Sequence, residues 1–130
     1  MRTVLVFSAA PTEVLVACLD AIDPEAGESG CWIVADRLWV SIASPPDWWD
    51  GFEDERAAIE REIGTSLSLV SADVSAHIDG HDEARAFALT ILSLAAGLAF
   101  DDYALRAWTL DEIESDDAID GQRFFPGRER

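Results

Sequence analysis

The chain has 130 residues, of which 49% are apolar, so it can form one domain with its own core without a disulfide framework or a structural metal. Its 26 acidic residues outweigh nine basic ones to give a net charge of −17, and thirteen of the acids lie in each half of the chain. A field of this sign excludes nucleic acid and anionic membranes as partners and attracts basic ones, although acidity that serves only solubility is an alternative explanation.

The first third of the chain predicts a strand, a helix and a β-hairpin. Residues 3–7 are a run of β-branched and aromatic side chains, which is typical of a strand covered on both faces. Pro11 favours the first turn of a helix that continues to about Ile22. Residues 32–34 and 38–43 are two apolar runs around a tight turn, and they indicate a hairpin.

The middle of the chain predicts two helices with a long strand between them. The first helix has Asp47 as a candidate N-cap and ends near Gly64. In residues 67–78 the apolar alternation changes phase at Leu69-Val70, which predicts a strand with a β-bulge. The second helix covers residues 82–96 and is ended by a glycine.

A short capped helix is predicted near the C-terminus. Thr109 and Glu112 have the spacing of a capping box, and Trp108 precedes the cap as a hydrophobic staple residue. The longest uncharged stretch, residues 86–100, is too short to span a bilayer.

This order of elements, β-α-β-β-α-β-α, predicts a fold of the α/β (α+β) class. The first six elements match a ferredoxin-like split βαβ sandwich, and the last helix is an addition. We expect residues 1–113 to form a single domain. Residues 114–130 are rich in acids and have little periodicity, so they predict a poorly ordered tail.

The strongest candidate for contact with a partner is Trp49. On a helix it lies about a hundred degrees away from the apolar stripe that contains Trp48 and Phe52. Acidic residues surround it, and this composition suits an anchor for a partner with basic side chains. An equally open alternative is that Trp49 covers a neighbouring loop. The acids included in the predicted partner-binding surface here are Asp47, Asp50, Glu53 and Asp54.

Asp101 and Asp102 are a second candidate. They open a stretch, residues 101–120, with eight acids and one arginine, so we include both in the predicted partner-binding surface. Paired carboxylates can also hold a divalent cation or act as an acid and a base. Their spacing matches no calcium loop, so a turn with solvated acids is favoured over a metal site.

The histidines and cysteines give weaker indications. His77 and His81 have no third ligand at diagnostic spacing, so no metal or catalytic site is expected there. His77 shares a strand phase with Ser71 and Asp73. This polar phase is an open sheet face that could dock a partner, a face that is simply wet, or one that the added helix covers. Cys18 and Cys31 are expected to be buried thiols rather than a disulfide.

The C-terminal part of the chain resembles the small acidic immunity proteins that bacteria encode beside polymorphic toxins and contact-dependent inhibition systems. The residues that carry the resemblance are Gly80, Ala84, Phe87, Leu92, Gly97-Leu98-Ala99-Phe100-Asp101-Asp102-Tyr103 and Trp108-Thr109-Leu110-Asp111-Glu112-Ile113. The resemblance implies a cytoplasmic protein that sequesters a toxin domain, often a basic nuclease. It transfers no contact residues, since the matched motif belongs to the scaffold.

We therefore expect an acidic protein-binding module and not an enzyme, because no nucleophile motif, phosphate-binding loop or dinucleotide fingerprint occurs. No cofactor and no metal is expected. The expected partner is a basic toxin domain, and the chain is expected to be a cytoplasmic monomer or homodimer. Two alternatives stay open: a secretion chaperone or adaptor for an effector, and a small metal-dependent enzyme.

Overall fold

The computed structural model describes residues 2–26, 30–34, 38–43, 53–64, 68–74, 80–101, 107–116 and 124–125. The elements in chain order are β1 (Arg2–Ser8), α1 (Thr12–Ile22), a 3-10 turn (Pro24–Ala26), β2 (Trp32–Val34), β3 (Leu38–Ala43), α2 (Glu53–Ile63), β4 (Ser68–Val74), α3 (His81–Leu92), β5 (Gly97–Asp101) and α4 (Leu110–Ser115). No helix in this part of the chain is long and apolar enough to cross a bilayer.

The five strands form one sheet in the order β2-β3-β4-β1-β5, and every neighbouring pair is antiparallel. Sheet and helices together give the expected α+β class. The ferredoxin-like strand order is not confirmed. That order would place β1 between β3 and β4, whereas here β4 lies between β3 and β1, and β5 occupies the other side of β1.

The strand β5 is a correction to the sequence prediction, which continued the preceding helix to residue 96. The helix α3 ends at Leu92, and β5 pairs with β1 from Ser8↔Gly97 to Val4↔Asp101. A five-residue strand is defined by its partner more than by its own composition, because its backbone groups need an edge to bond. The exposed edge of β1 supplies that partner.

The two faces of the sheet are covered by different helices. On one face, side chains of α1 and α3 form a cluster with alternate strand residues, and its members include Leu19, Phe87, Val6 and Val70. On the other face, Ile59 of α2 packs in a smaller cluster whose strand members are Leu5, Phe7, Leu69 and Leu98. The first two helices therefore lie on opposite faces, whereas the expected sandwich would place them on the same face.

This arrangement also explains the phase change in β4. Leu69 and Val70 are both fully buried, each on a different face. The strand pairs with β1 residue by residue from Ser8↔Ser68 to Arg2↔Val74, so the predicted bulge at Leu69-Val70 is wrong. Burial on both faces produces two adjacent apolar residues without any break in the ladder.

The helix α4 confirms the predicted capping box. The Thr109 hydroxyl accepts from the backbone N–H of Glu112, and the Glu112 carboxylate accepts from the backbone N–H of Thr109. Trp108, just before the cap, is fully buried and forms two backbone hydrogen bonds with Ala99, at 2.8 and 2.9 Å. The cap and this bridge attach α4 to the outer edge of β5.

Phe124 and Phe125 lie in the segment expected to be a poorly ordered tail, yet both are buried, at 3% and 0% exposure. The Phe125 N–H donates to the buried carboxylate of Asp101, and its carbonyl accepts from Nδ1 of His81 at 2.7 Å. The Arg2 guanidinium lies 4.7 Å from the centre of the Phe125 ring. These contacts attach Phe125 to β5, α3 and β1.

Gly80, before α3, combines a left-handed backbone with a crowded site. Its φ is 80°, and a Cβ there would lie 2.5 Å from Cγ1 of Val74. Gly30 has a similar φ of 74° but open space around the Cβ position.

Gly80→Ala should therefore lower the free energy of unfolding by about 1–3 kcal/mol more than Gly30→Ala, because only the first change adds overpacking. Equal losses in urea unfolding would show that φ alone sets the cost.

Cys18 and Cys31 form no disulfide; Cys18 is half-buried, while Cys31 is exposed, which corrects the expectation that both thiols are buried. Burial raises the pKa of the Cys18 thiol. The unfolded chain then loses this proton at a lower pH than the folded chain does. The stability that the protonated Cys18 thiol contributes is therefore complete below the ordinary thiol pKa and is lost as pH rises through the raised value.

We expect the unfolding free energy of the parent to fall more steeply than that of Cys18→Ala as pH rises above the ordinary thiol pKa. Parallel urea titrations at a series of alkaline pH values measure the difference. Parallel curves for the two proteins would contradict this assignment.

Candidate functional site

The face of the sheet that carries α2 is only partly covered. Ile59 and Ile63 of α2 pack with Leu5, Phe7 and Leu98, which occupy β1 and β5. On the same face, Ile33 of β2 and Trp39 of β3 are exposed to solvent. This part of the face is therefore an accessible surface.

Four residues cross this surface in one row, one from each of β2, β3, β4 and β1. The pairs are Ile33↔Trp39, Trp39↔Asp73 and Asp73↔Thr3, and we call these four residues the Trp39 row. Directly paired residues on one face have Cβ atoms about 4.5–5.5 Å apart, so neighbouring side chains in the row are in reach of each other.

The apolar half of the row is unusually open to solvent. Ile33 is 46% exposed and Trp39 is 42% exposed, and both belong to a short set of exposed large apolar residues in the described chain. An indole beside an isoleucine at the edge of a sheet provides apolar area with a polar rim, which is the composition of an interaction surface.

The polar half of the row is held in place by a hydrogen bond. The Thr3 hydroxyl donates to Oδ1 of Asp73 at 2.8 Å, and both residues are half-buried. In the described part of the chain, Thr3 is the only partner of this carboxylate. The next row on the same face contains Ser41 paired with Ser71, so the surface around Trp39 is polar on that side.

A second candidate surface is a shallow groove beside β5, between α2 and α4. Its larger part encloses about 410 Å³ and has Glu62 at one side and Leu98 and Leu110 along the floor. A smaller part, of about 310 Å³, continues past Phe100 to Glu112. Because the Glu112 carboxylate is held in the capping box, Glu62 is the acid among the lining residues that is left for a ligand.

The residues predicted from the sequence fall into three groups. Trp49, with Asp47, Asp50 and Asp102, lies outside the described residues, and so does His77. Glu53 begins α2, and Asp54, the next residue, is exposed. Asp101 is 7% exposed and bonded to Phe125, so in this structure it is part of the core contacts and is not presented to a partner.

The described residues offer no set of three or more histidine, cysteine or acidic side chains that converge as metal ligands. His81 begins α3, one residue before the predicted start of this helix, and its ring bridges the Phe125 carbonyl and the Asp116 carboxylate, with 3.3 Å between Nε2 and Asp116. The imidazole is used to attach the C-terminal segment, and this gives it a structural role.

Trp39 is the residue that sequence reasoning missed. In the run 38–43, Leu38 and Val40 alternate with Trp39 and Ser41, so the tryptophan shares its phase with a serine. This shared phase is the signal that could have identified the exposed face. Ser71 and Asp73 lie on the same face, as the alternation in β4 predicted.

The described residues thus place exposed apolar side chains beside a hydrogen-bonded carboxylate on one face of the sheet. No family model, curated protein or solved structure gives a significant match to this chain.

Proposed function

We infer that this chain is an acidic protein-binding module, and most concretely a cytoplasmic immunity protein that sequesters a basic toxin domain. The observation that carries the proposal is the Trp39 row: an exposed indole and isoleucine beside an oriented carboxylate, in a chain with a net charge of −17. The resemblance of residues 80–113 to immunity proteins supports the same class of function.

Two physical contributions fit together in this proposal. The negative field raises the rate at which a basic partner meets the surface. Desolvation of Trp39 and Ile33 in the complex then supplies short-range affinity, because buried tryptophans are prominent among interface hot spots. A module of this kind needs no catalytic group.

The part of the predicted acidic region that begins α2 lies on the same side of the sheet. The helix α2 packs on the face that carries Trp39, and its exposed Asp54 lies in the first turn. We therefore propose that Asp47, Trp49, Asp50, Glu53, Asp54 and Asp102 add to the contact surface. Asp101 is left out because it is buried.

The test is co-expression of this chain with the polypeptide encoded beside it. We expect that polypeptide to end in a basic domain that arrests growth, and we expect this chain to restore growth and to co-purify with it in a stable complex. A neighbour that is not toxic, or a toxic one that this chain neither binds nor neutralises, would overturn the proposal. A stable homodimer that holds an unfolded effector segment would favour the secretion chaperone instead.

Neutralising an acid at the rim should change association more than dissociation. Asp54→Asn is expected to lower the association rate constant with the toxin domain by about two- to threefold at low salt, with little change in the dissociation rate. Glu13→Gln removes the same charge from exposed α1, on the opposite face, and is the matched control. Stopped-flow kinetics at two salt concentrations measure the association and dissociation rate constants of the two variants. Equal effects would mean that net charge acts without regard to position.

A further inference from the structure

We propose that Trp39 and Asp73 together receive an arginine side chain of the partner. This inference rests on the proposed function, since it names the chemistry that the partner presents to the Trp39 row. The two residues are directly paired across β3 and β4, and their side chains share the open face of the sheet. The surface therefore places an aromatic ring and a carboxylate side by side.

Arginine fits this pair better than lysine does. Its guanidinium is planar, stacks on an indole, and can donate two parallel hydrogen bonds to a carboxylate at the same time. A lysine ammonium is a compact, strongly hydrated point charge, so it gains less from a flat aromatic surface. The charge of −17 on the chain makes a cationic occupant the complementary one.

The other two members of the row have supporting positions. Thr3 donates to Oδ1 of Asp73, which fixes the orientation of the carboxylate before the partner arrives. Ile33 lies on the other side of Trp39 and is 46% exposed, so it offers apolar area to the methylene groups of the arginine or to an adjacent apolar residue. The row thus runs from apolar to aromatic to acidic.

The groove beside β5 fits an arginine less well. Its exposed acid, Glu62, lies among aliphatic residues, and the aromatic residue that lines the groove, Phe100, is half-buried. It therefore lacks the pairing of an exposed ring with an oriented carboxylate.

Two charge-matched peptide amides test the inference on the full chain. One alternates glycine with arginine, and the other alternates glycine with lysine. Titration of the 15N-labelled protein follows the indole N–H signal of Trp39 and the backbone N–H signals of its neighbours. We expect the arginine peptide to bind about three- to tenfold more tightly and to shift the Trp39 signal most strongly.

Variants of the protein show which residues cause the preference for the arginine peptide. Asp73→Asn should remove most of the preference for arginine, and Trp39→Leu should remove the rest, while Glu13→Gln and Leu94→Ala, at exposed positions elsewhere, should retain it. Equal binding of the two peptides, shifts scattered over the surface, no binding at all, or the same preference in Asp73→Asn would each overturn the inference. None of these results would bear on co-expression with the toxin, so a failure here is separate from a failure of the proposed function.

Discussion

Replacing Phe125 by alanine should lower the free energy of unfolding by about 3–5 kcal/mol. The ring is fully buried, contacts Phe124, and lies under the Arg2 guanidinium. Its removal leaves a cavity at the place where the C-terminal segment meets β1. Since a domain of this size is stable by about 5–15 kcal/mol, the loss would be a large part of the total.

The hydrogen bonds of the same residue predict a related loss. Asp101→Leu removes the buried acceptor of the Phe125 N–H, and an unsatisfied buried donor costs about 1–3 kcal/mol. Asp101→Asn keeps an oxygen acceptor and should cost less. A smaller loss of unfolding free energy for Asp101→Asn than for Asp101→Leu would show that an oxygen acceptor at this position stabilises the fold, and equal losses would contradict it.

Urea unfolding followed by tryptophan fluorescence measures these changes. Leu94→Ala, at a residue that is 38% exposed, is the control and should stay within about 1 kcal/mol of the parent. If Phe125→Ala fails to fold, Phe125→Leu, which retains most of the volume, should fold with a loss of about 1–2 kcal/mol. A Phe125→Ala protein as stable as the parent would show that the segment is not part of the core.

The sequence predicted the elements whose signals are local. The β-hairpin strands Trp32–Val34 and Leu38–Ala43 and the helix that ends at Ile22 have the expected bounds, because apolar runs, turns and a proline punctuate them. The capping box of Thr109 was visible for the same reason, since its two hydrogen bonds join residues three apart.

The features that escaped prediction depend on contacts between distant parts of the chain. Gly97–Asp101 becomes a strand because β1 offers it an edge, and no property of five residues after a helix announces that edge. Phe124 and Phe125 lie in an acidic segment without periodicity, so their burial against Trp108 could not be predicted. The strand order follows from the same long-range pairings.

In the candidate site, too, local signals were predicted from the sequence and contacts between distant residues were not. Alternation in β4 correctly placed Asp73 and Ser71 on a shared face, but it did not show which face α2 would cover. Sequence reasoning chose Trp49 because acids surround it in the chain. Trp39 is bordered by an acid only in the folded sheet, where Asp73 lies across from it.

Replacing Trp39 by alanine should weaken binding of the toxin domain by about 2 kcal/mol or more, which is roughly thirtyfold in Kd. The loss should appear mainly as faster dissociation, because the indole acts after the two proteins have met. The cost in stability should be about 1 kcal/mol or less, since the side chain is 42% exposed and its strand pairings remain. Calorimetric titration and surface plasmon resonance measure the affinity and the rates.

Two further variants separate the anchor from general apolar contact. Val14→Ala removes an equally exposed apolar side chain from α1, on the opposite face, and should leave Kd unchanged. Trp39→Tyr retains a flat aromatic ring with high strand propensity and should recover most of the affinity. If Trp39→Ala binds as tightly as the parent while Trp49→Ala does not, the contact surface includes the residues that precede α2 in the sequence and the exposed sheet face has no part in it.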